Sequence, residues 1–106
     1  DWGWAPDYVD AMWRMLQLEK AEDFVVATGK TITLEKFVCK AFAFFGLDWQ
    51  EHVDFQSSLL RPSEIAISQG NPQKAKDVLG WKPNMDVNGV VISMCEAAFK
   101  KLEDID

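Results

Sequence analysis

The residues of this chain whose types could do chemistry are few and scattered. Gly29-Lys30-Thr31 closes an apolar run and precedes a helical pattern, the place where a phosphate-cradling loop would stand. Such a loop needs another glycine five positions before Gly29, and Phe24 occupies that position. The loop is also too short to wrap a triphosphate, so a strand-to-helix turn is the better account. The spaced glycines of a dinucleotide-binding turn are absent. The only tyrosine is Tyr8, and Met12 follows it where a Tyr-x-x-x-Lys pair would need lysine. The one histidine, His52, and two cysteines without a Cys-x-x-Cys pattern, Cys39 and Cys95, leave a zinc site short of ligands. His52 is expected at the surface, and both cysteines are expected as reduced core residues. The pairs Glu19 with Glu22 and Asp104 with Asp106 stand in polar segments that would not tune a carboxyl group for acid–base work. No catalytic, cofactor-binding or metal-binding residue is assigned within the chain.

Arg61 is the charge with the best claim to a ligand. Pro62 restricts it toward extended backbone, so its side chain projects from a fixed point, and its guanidinium fork can hold two phosphate oxygens. The competing reading is a surface pair with Glu64, three residues on, worth about 0–1 kcal/mol. The residues alone leave both open.

These groups must be positioned by a small scaffold. The 106 residues make one domain or a piece of one; nearly half are hydrophobic and a quarter charged. The net charge of -6 and the lack of a basic run argue against nucleic acid as a partner. No apolar run approaches the length of about 18 residues that a membrane span requires. The chain opens without methionine or a secretory signal, and is expected to be a fragment.

A first helix is predicted from about Pro6 to Leu18, with Val9, Met12, Trp13 and Leu16 as its buried stripe and Asp7 and Asp10 favouring its dipole. Phe24 to Ala27 reads as a buried strand. Thr33 can cap a second helix, whose apolar positions Leu34, Phe37, Val38, Ala41, Phe42 and Phe45 repeat at helical spacing, with Gly46 as its stop. Val53 to Gln56 reads as a second strand, parallel to the first through a right-handed crossover, and Ile65 to Ser68 as a brief extended segment. Asn71-Pro72 opens a short helix ending near Leu79, broken by Gly80-Trp81-Lys82-Pro83. A last helix uses Val87, Val90, Val91, Met94, Ala98 and Leu102, and frays at Glu103 to Asp106. Most of the tryptophans, at 2, 4, 13, 49 and 81, are expected to pack in the core or an interface. The fold class is α+β (mixed α/β): three to four helices with a few short strands, some of which pair with chain outside this sequence.

Three stretches together resemble the GDP-mannose 4,6-dehydratases, of the extended short-chain dehydrogenase/reductase superfamily. They are Asp1-Trp2-Gly3-Trp4-Ala5-Pro6-Asp7-Tyr8-Val9 continuing to Gln17, Glu22 to Gly29, and Arg61-Pro62-Ser63-Glu64 with Gly70-Asn71-Pro72 and Leu79-Gly80-Trp81-Lys82-Pro83. The resemblance covers nearly the whole chain and weakens in the last helix. It implies that residues 1–106 are the C-terminal substrate-binding portion, with an N-terminal Rossmann domain upstream holding NADP and the catalytic residues. It implies an enzyme converting GDP-mannose to GDP-4-keto-6-deoxymannose: oxidation at C4, loss of water across C5 and C6, and return of the hydride at C6. The product leads to GDP-fucose and other deoxyhexoses. A cytoplasmic homo-oligomer is implied, with no membrane partner.

The resemblance also assigns Arg61 to the substrate diphosphate and Glu64 to its nucleoside. One departure stands out: family members often carry a basic and an aromatic residue just before that arginine, and here the segment is Ser57-Ser58-Leu59-Leu60. Part of the nucleotide pocket that the resemblance implies is therefore expected to be altered or replaced. The alternatives are another sugar-nucleotide enzyme of the superfamily (an epimerase or a GDP-4-keto-6-deoxymannose reductase) or a non-catalytic interaction module. The fragment alone is expected to show no turnover and to bind GDP-mannose poorly.

Overall fold

The computed structural model describes residues 1–104, and four helices carry its architecture. Helix α1 spans Ala5–Leu16, with Pro6 in its first turn and Trp4 as an extended N-cap. Helix α2 spans Leu34–Phe44; the Thr33 hydroxyl caps it by accepting from the Lys36 amide at 3.1 Å. Helix α3 spans Gln73–Leu79, preceded by an Asn71 side chain that accepts from the Gln73 amide at 3.1 Å. Helix α4 spans Val87–Glu103, and Asp86 caps it through the Gly89 amide at 2.8 Å. Single 3-10 turns at Trp49–Glu51 and Ser57–Leu59 interrupt the connection between α2 and α3. Of the acidic tail, Ile105 and Asp106 lie outside the described residues.

The helices pair as α1 with α3 and α2 with α4. The first pair closes around Ala11, Ala75, Leu79 and Trp81, all buried, with Tyr8, Met15, Leu18, Phe24 and Val26 packed against them. Ala11 and Ala75 are wholly inaccessible, so two methyl side chains set a close approach. The second pair buries Val90, Val91 and Cys95 of α4, whereas no residue of α2 is fully buried. Trp2 stacks on Phe37 with ring centroids 4.2 Å apart and bridges the two pairs.

Arg14 locks α1 to the end of α3. Its Nε meets Asp10 at 3.1 Å one turn back, and its Nη1 donates to the Leu79 and Gly80 carbonyls, each at 3.1 Å. Those carbonyls have no partner within their own helix, so the guanidinium satisfies what the helix end leaves exposed. Gly80 stands at φ +63°, in the left-handed region, and turns the chain into Trp81.

Three expectations are corrected. Val9, Met12, Trp13 and Leu16 do not form the buried stripe of α1; they are 58–81% exposed, and the packed side is Asp7, Tyr8, Ala11 and Met15. The helix buries its small and polar side because Ala11 lets α3 come close and Asp7 has partners there. Among the described residues there is no β-ladder, so the α+β class with short strands is not reproduced, and the fold is helical. Phe24 to Ala27 runs through coil between α1 and α2, with Phe24 and Val26 packed inward and Val25 outward; Gly70 approaches Val25 and Ala27, but no backbone ladder forms between the two segments. Val53 to Gln56 and Ile65 to Ser68 are likewise unpaired and exposed. Finally, both cysteines are free but only Cys95 is buried; Cys39 is exposed.

The molecule is a flat slab. Its extents are 52 × 40 × 19 Å and its radius of gyration 17.3 Å, against about 13 Å for a self-contained domain of this length.

Candidate functional site

The loop joining the Ser57–Leu59 turn to α3 carries Arg61 and Glu64. Arg61 Nε lies 3.7 Å from Glu64 Oε2, and the two side chains are 78% and 61% exposed. This is the surface pair the spacing allows, too long for a hydrogen bond and weak in water. Both groups therefore stand presented to solvent, able to exchange their partner for a ligand. Leu59, Leu60, Ile65 and Ile67 beside them are 63–77% exposed.

The downstream root of this loop is held firmly. Asp1 is the centre of the hold: its Oδ1 accepts from the Thr28 amide at 2.9 Å and the Thr28 hydroxyl at 2.7 Å. Its Oδ2 accepts from the amides of Gly29 at 2.9 Å and Gly70 at 3.1 Å. Gln69 adds a second tie, its Nε2 donating to the Gly29 carbonyl at 2.6 Å. Two glycines make this possible. Gly29 sits at φ +77°, and a Cβ on Gly70 would lie 2.5 Å from the Ala27 Cβ.

Two open clefts flank this clasp, divided by Trp2 and Ile32. One is bounded by Thr28, Lys30 and the start of α4 from Asn84 to Gly89. The other is bounded by Asp1, Thr31 to Leu34, Lys36, and the Ala66 to Gln69 stretch of the loop. Each has one lysine on its rim. Arg61 and Glu64 line neither, so these described residues contribute a wall and a projecting loop but not an enclosed pocket. The Trp2 indole donates to the Ile32 carbonyl at 3.0 Å, which stiffens the divider.

Chemistry within the chain is limited accordingly. The amides of Thr28 and Gly29, which a phosphate would need from the Gly29-Lys30-Thr31 turn, already donate to Asp1. The turn is a structural corner. His52 stacks on Phe42 at 5.5 Å between nearly parallel rings. Among the described residues no three of His, Cys, Asp and Glu gather as metal ligands, and no helix is long and apolar enough to cross a membrane. Two groups have shifted acidities. Burial, and secondarily the Asp7 charge, pushes the Tyr8 phenol up, and burial pushes the Cys95 thiol up. Neither faces Arg61 in a shared pocket.

The sequence singles out Arg61 and Glu64, which stand together as an exposed pair, and gives no sign of the long-range contacts of Asp1, Arg14 and Gln69. Arg14 at four residues from Asp10 was open to discovery as a helix pair. The Asp1 clasp was not, because its donors lie 27 to 69 positions away along the chain.

Comparison with known proteins now bears on these features. A family model described as GDP-mannose 4,6 dehydratase matches residues 1–94. The chain is 46% identical over 96 residues to GDP-mannose 4,6 dehydratase 2 of Arabidopsis thaliana, covering 91% of this chain and 26% of that protein. It is 38% identical over 114 residues to GDP-mannose 4,6 dehydratase of Homo sapiens, covering 92% and 31%. The GDP-mannose 4,6-dehydratase of Yersinia enterocolitica is 32% identical over 121 residues, with 89% and 32% covered. The chain thus spans between about a quarter and a third of the length of these relatives.

Proposed function

This chain belongs to the GDP-mannose 4,6-dehydratase family, and from that premise we propose that it is the C-terminal, GDP-sugar-binding portion of such an enzyme. The observation that carries the reading is the similarity over residues 1–94, which takes in the Arg61-Pro62-Ser63-Glu64 loop. The reaction is a lyase reaction on GDP-mannose, giving GDP-4-keto-6-deoxymannose with NADP as the hydride carrier. The residues here do not fit the dinucleotide: there is no glycine-rich turn, and the one loop resembling a phosphate cradle is filled by Asp1. The cofactor and the reacting groups belong to polypeptide outside this sequence.

The surface supports this division. The chain exposes 8466 Å², where a self-contained protein of its mass exposes about 6,000 Å². The difference exceeds the area of about 600–1,500 Å² in a common interdomain contact. The outward stripe of α1 and the unladdered Phe24 to Ala27 segment are the natural places for that contact. One needs apolar cover and the other a neighbouring strand. In the whole enzyme the Phe24 to Ala27 run then becomes the short strand that the α+β expectation described.

Arg61 has a definite task in this reading. It holds the substrate diphosphate through charge-assisted hydrogen bonds, while Glu64 accepts from the nucleoside. Anchoring the diphosphate at a distance from the sugar orients the reacting carbons, so binding energy is used for position. Cytoplasmic location and a homo-oligomer built largely through the remaining polypeptide belong to the same proposal.

The test is Arg61→Ala in the full-length enzyme. GDP-mannose binding should weaken by roughly 10- to 100-fold and lose part of its salt dependence. Arg61→Lys should recover only part, because an ammonium lacks the planar fork. Unchanged affinity in Arg61→Ala would remove Arg61 from the site.

A further inference from the structure

Asp1 lies at the far end of the loop from Arg61, and its contacts say what it does. One carboxylate takes four donors: the amide and hydroxyl of Thr28 and the amides of Gly29 and Gly70. Three segments meet there, namely the start of the chain, the corner before α2, and the root of the Arg61 loop. Gln69, next to that root, ties to the Gly29 carbonyl at 2.6 Å. The Lys30 amide also donates to the Thr28 hydroxyl at 3.2 Å, and the Lys30 carbonyl stands 3.0 Å away as a longer alternative acceptor for the proton that Asp1 meets at 2.7 Å. By contrast, the loop from Leu60 to Ser68 has exposed side chains throughout. Its tie to the rest of the chain is at the downstream end, at Gln69 and Gly70.

We infer that Asp1 is a positioning residue for the Arg61 loop, fixing where the guanidinium stands relative to the rest of the substrate site. The inference rests on the proposed role of Arg61 in binding a nucleoside diphosphate. No neutral side chain of the same shape replaces the carboxylate. Asparagine would set an NH2 group against two amide donors, or against the Thr28 pair if turned over, and one side of the clasp opens either way. The loop root is then freed from the corner. The entropy of re-ordering it is paid when ligand binds.

The experiment is a double-mutant cycle on the full-length enzyme, with GDP as the probe and calorimetric affinity as the readout. Asp1→Asn should weaken GDP binding by about tenfold with Arg61 in place, and by less than about twofold in the Arg61→Ala background. That coupling is what a merely structural role would not produce. If Asp1→Asn does not fold, Thr28→Val removes the hydroxyl that donates to Asp1 and accepts from the Lys30 amide, leaves the three amide donors to Asp1, and should show the same coupling at about threefold. Equal losses in both backgrounds, or unchanged affinity in Asp1→Asn beside a weakened Arg61→Ala, overturns the positioning role alone. An Arg61→Ala enzyme with unchanged affinity overturns both this role and the site on which it rests.

Discussion

The Trp81 indole donates to the carbonyl of Asp7 at 2.8 Å across 74 residues of sequence, and the bond is buried. The Asp7 carboxylate answers from the same place, its Oδ2 accepting from the amides of Asn84 at 3.0 Å and Met85 at 3.1 Å. Helix α1 thereby grips the turn after α3 at both its main chain and its side chain. Trp81 is 1% exposed and Asp7 5% exposed, so each bond replaces water that neither group can regain.

Trp81→Phe should therefore destabilise the chain by about 1–3 kcal/mol, and Trp81→Ala by about 3–5 kcal/mol because a cavity is added to the lost bond. Urea unfolding followed by circular dichroism separates the two. A Trp81→Phe midpoint equal to that of the parent would mean that the indole bond contributes nothing net.

Asp7→Ala leaves the partly buried amides of Asn84 and Met85 without their acceptor and should cost about 1–3 kcal/mol, while Asp7→Asn, which keeps one acceptor oxygen, should cost less. The comparison, made by the same unfolding measurement, distinguishes the hydrogen bonds from any effect of helix-dipole charge. Equal losses in the two variants would favour the charge.

Much of this framework was legible in the sequence. Thr33, Pro6 and Asn71-Pro72 announce helix starts through local donors and acceptors, and Gly46 and Gly80 end helices at positive φ. The orientation of α1 was not legible. Hydrophobicity singles out Val9, Met12, Trp13 and Leu16, yet Ala11 and Tyr8 pack in the α1–α3 core and the polar Asp7 holds the turn after α3. An apolar stripe says that something covers it, not which neighbour does. Phe24 to Ala27 has the composition and alternating burial of a strand, but a ladder also needs a second strand, which no local pattern supplies. Of the candidate site, the Arg61 and Glu64 pair followed from spacing, whereas the Asp1 clasp joins residues with no sequence relation.

The outward stripe gives a third prediction. Trp13→Glu should change the stability of this chain by no more than about 0.5 kcal/mol, because Trp13 is 61% exposed. In the full-length enzyme the same substitution should lower the melting temperature or yield of folded protein, since it sets a charge in the proposed interdomain contact. A full-length enzyme as stable as its parent would place the stripe at a free surface.

Tyr8 gives a pH dependence. Its phenol is held above the usual value of about 10, first by burial and then by the Asp7 charge. The folded state then binds the proton more tightly than the unfolded state. Stability is unaffected below the unfolded value and falls as pH rises from there through the folded value. Tyr8→Phe should flatten this alkaline limb in thermal melts between about pH 9 and 11. An unchanged limb would assign it to other groups.

Cys39 is exposed, while Cys95 is buried with its thiol acidity pushed up by that burial. Iodoacetamide at neutral pH should therefore label Cys39 in the native chain and reach Cys95 only on unfolding, as read by peptide mass. Equal labelling of both would show that the α2–α4 pair opens readily.

The most direct measurement on the central claim is made with the full-length enzyme, GDP-mannose and NADP, following the nucleotide sugar by mass. One water should be lost from GDP-mannose and none from UDP-glucose, with the product reduced sharply in Arg61→Ala at limiting substrate. Unchanged GDP-mannose under conditions where the enzyme is folded and binds NADP would contradict that claim.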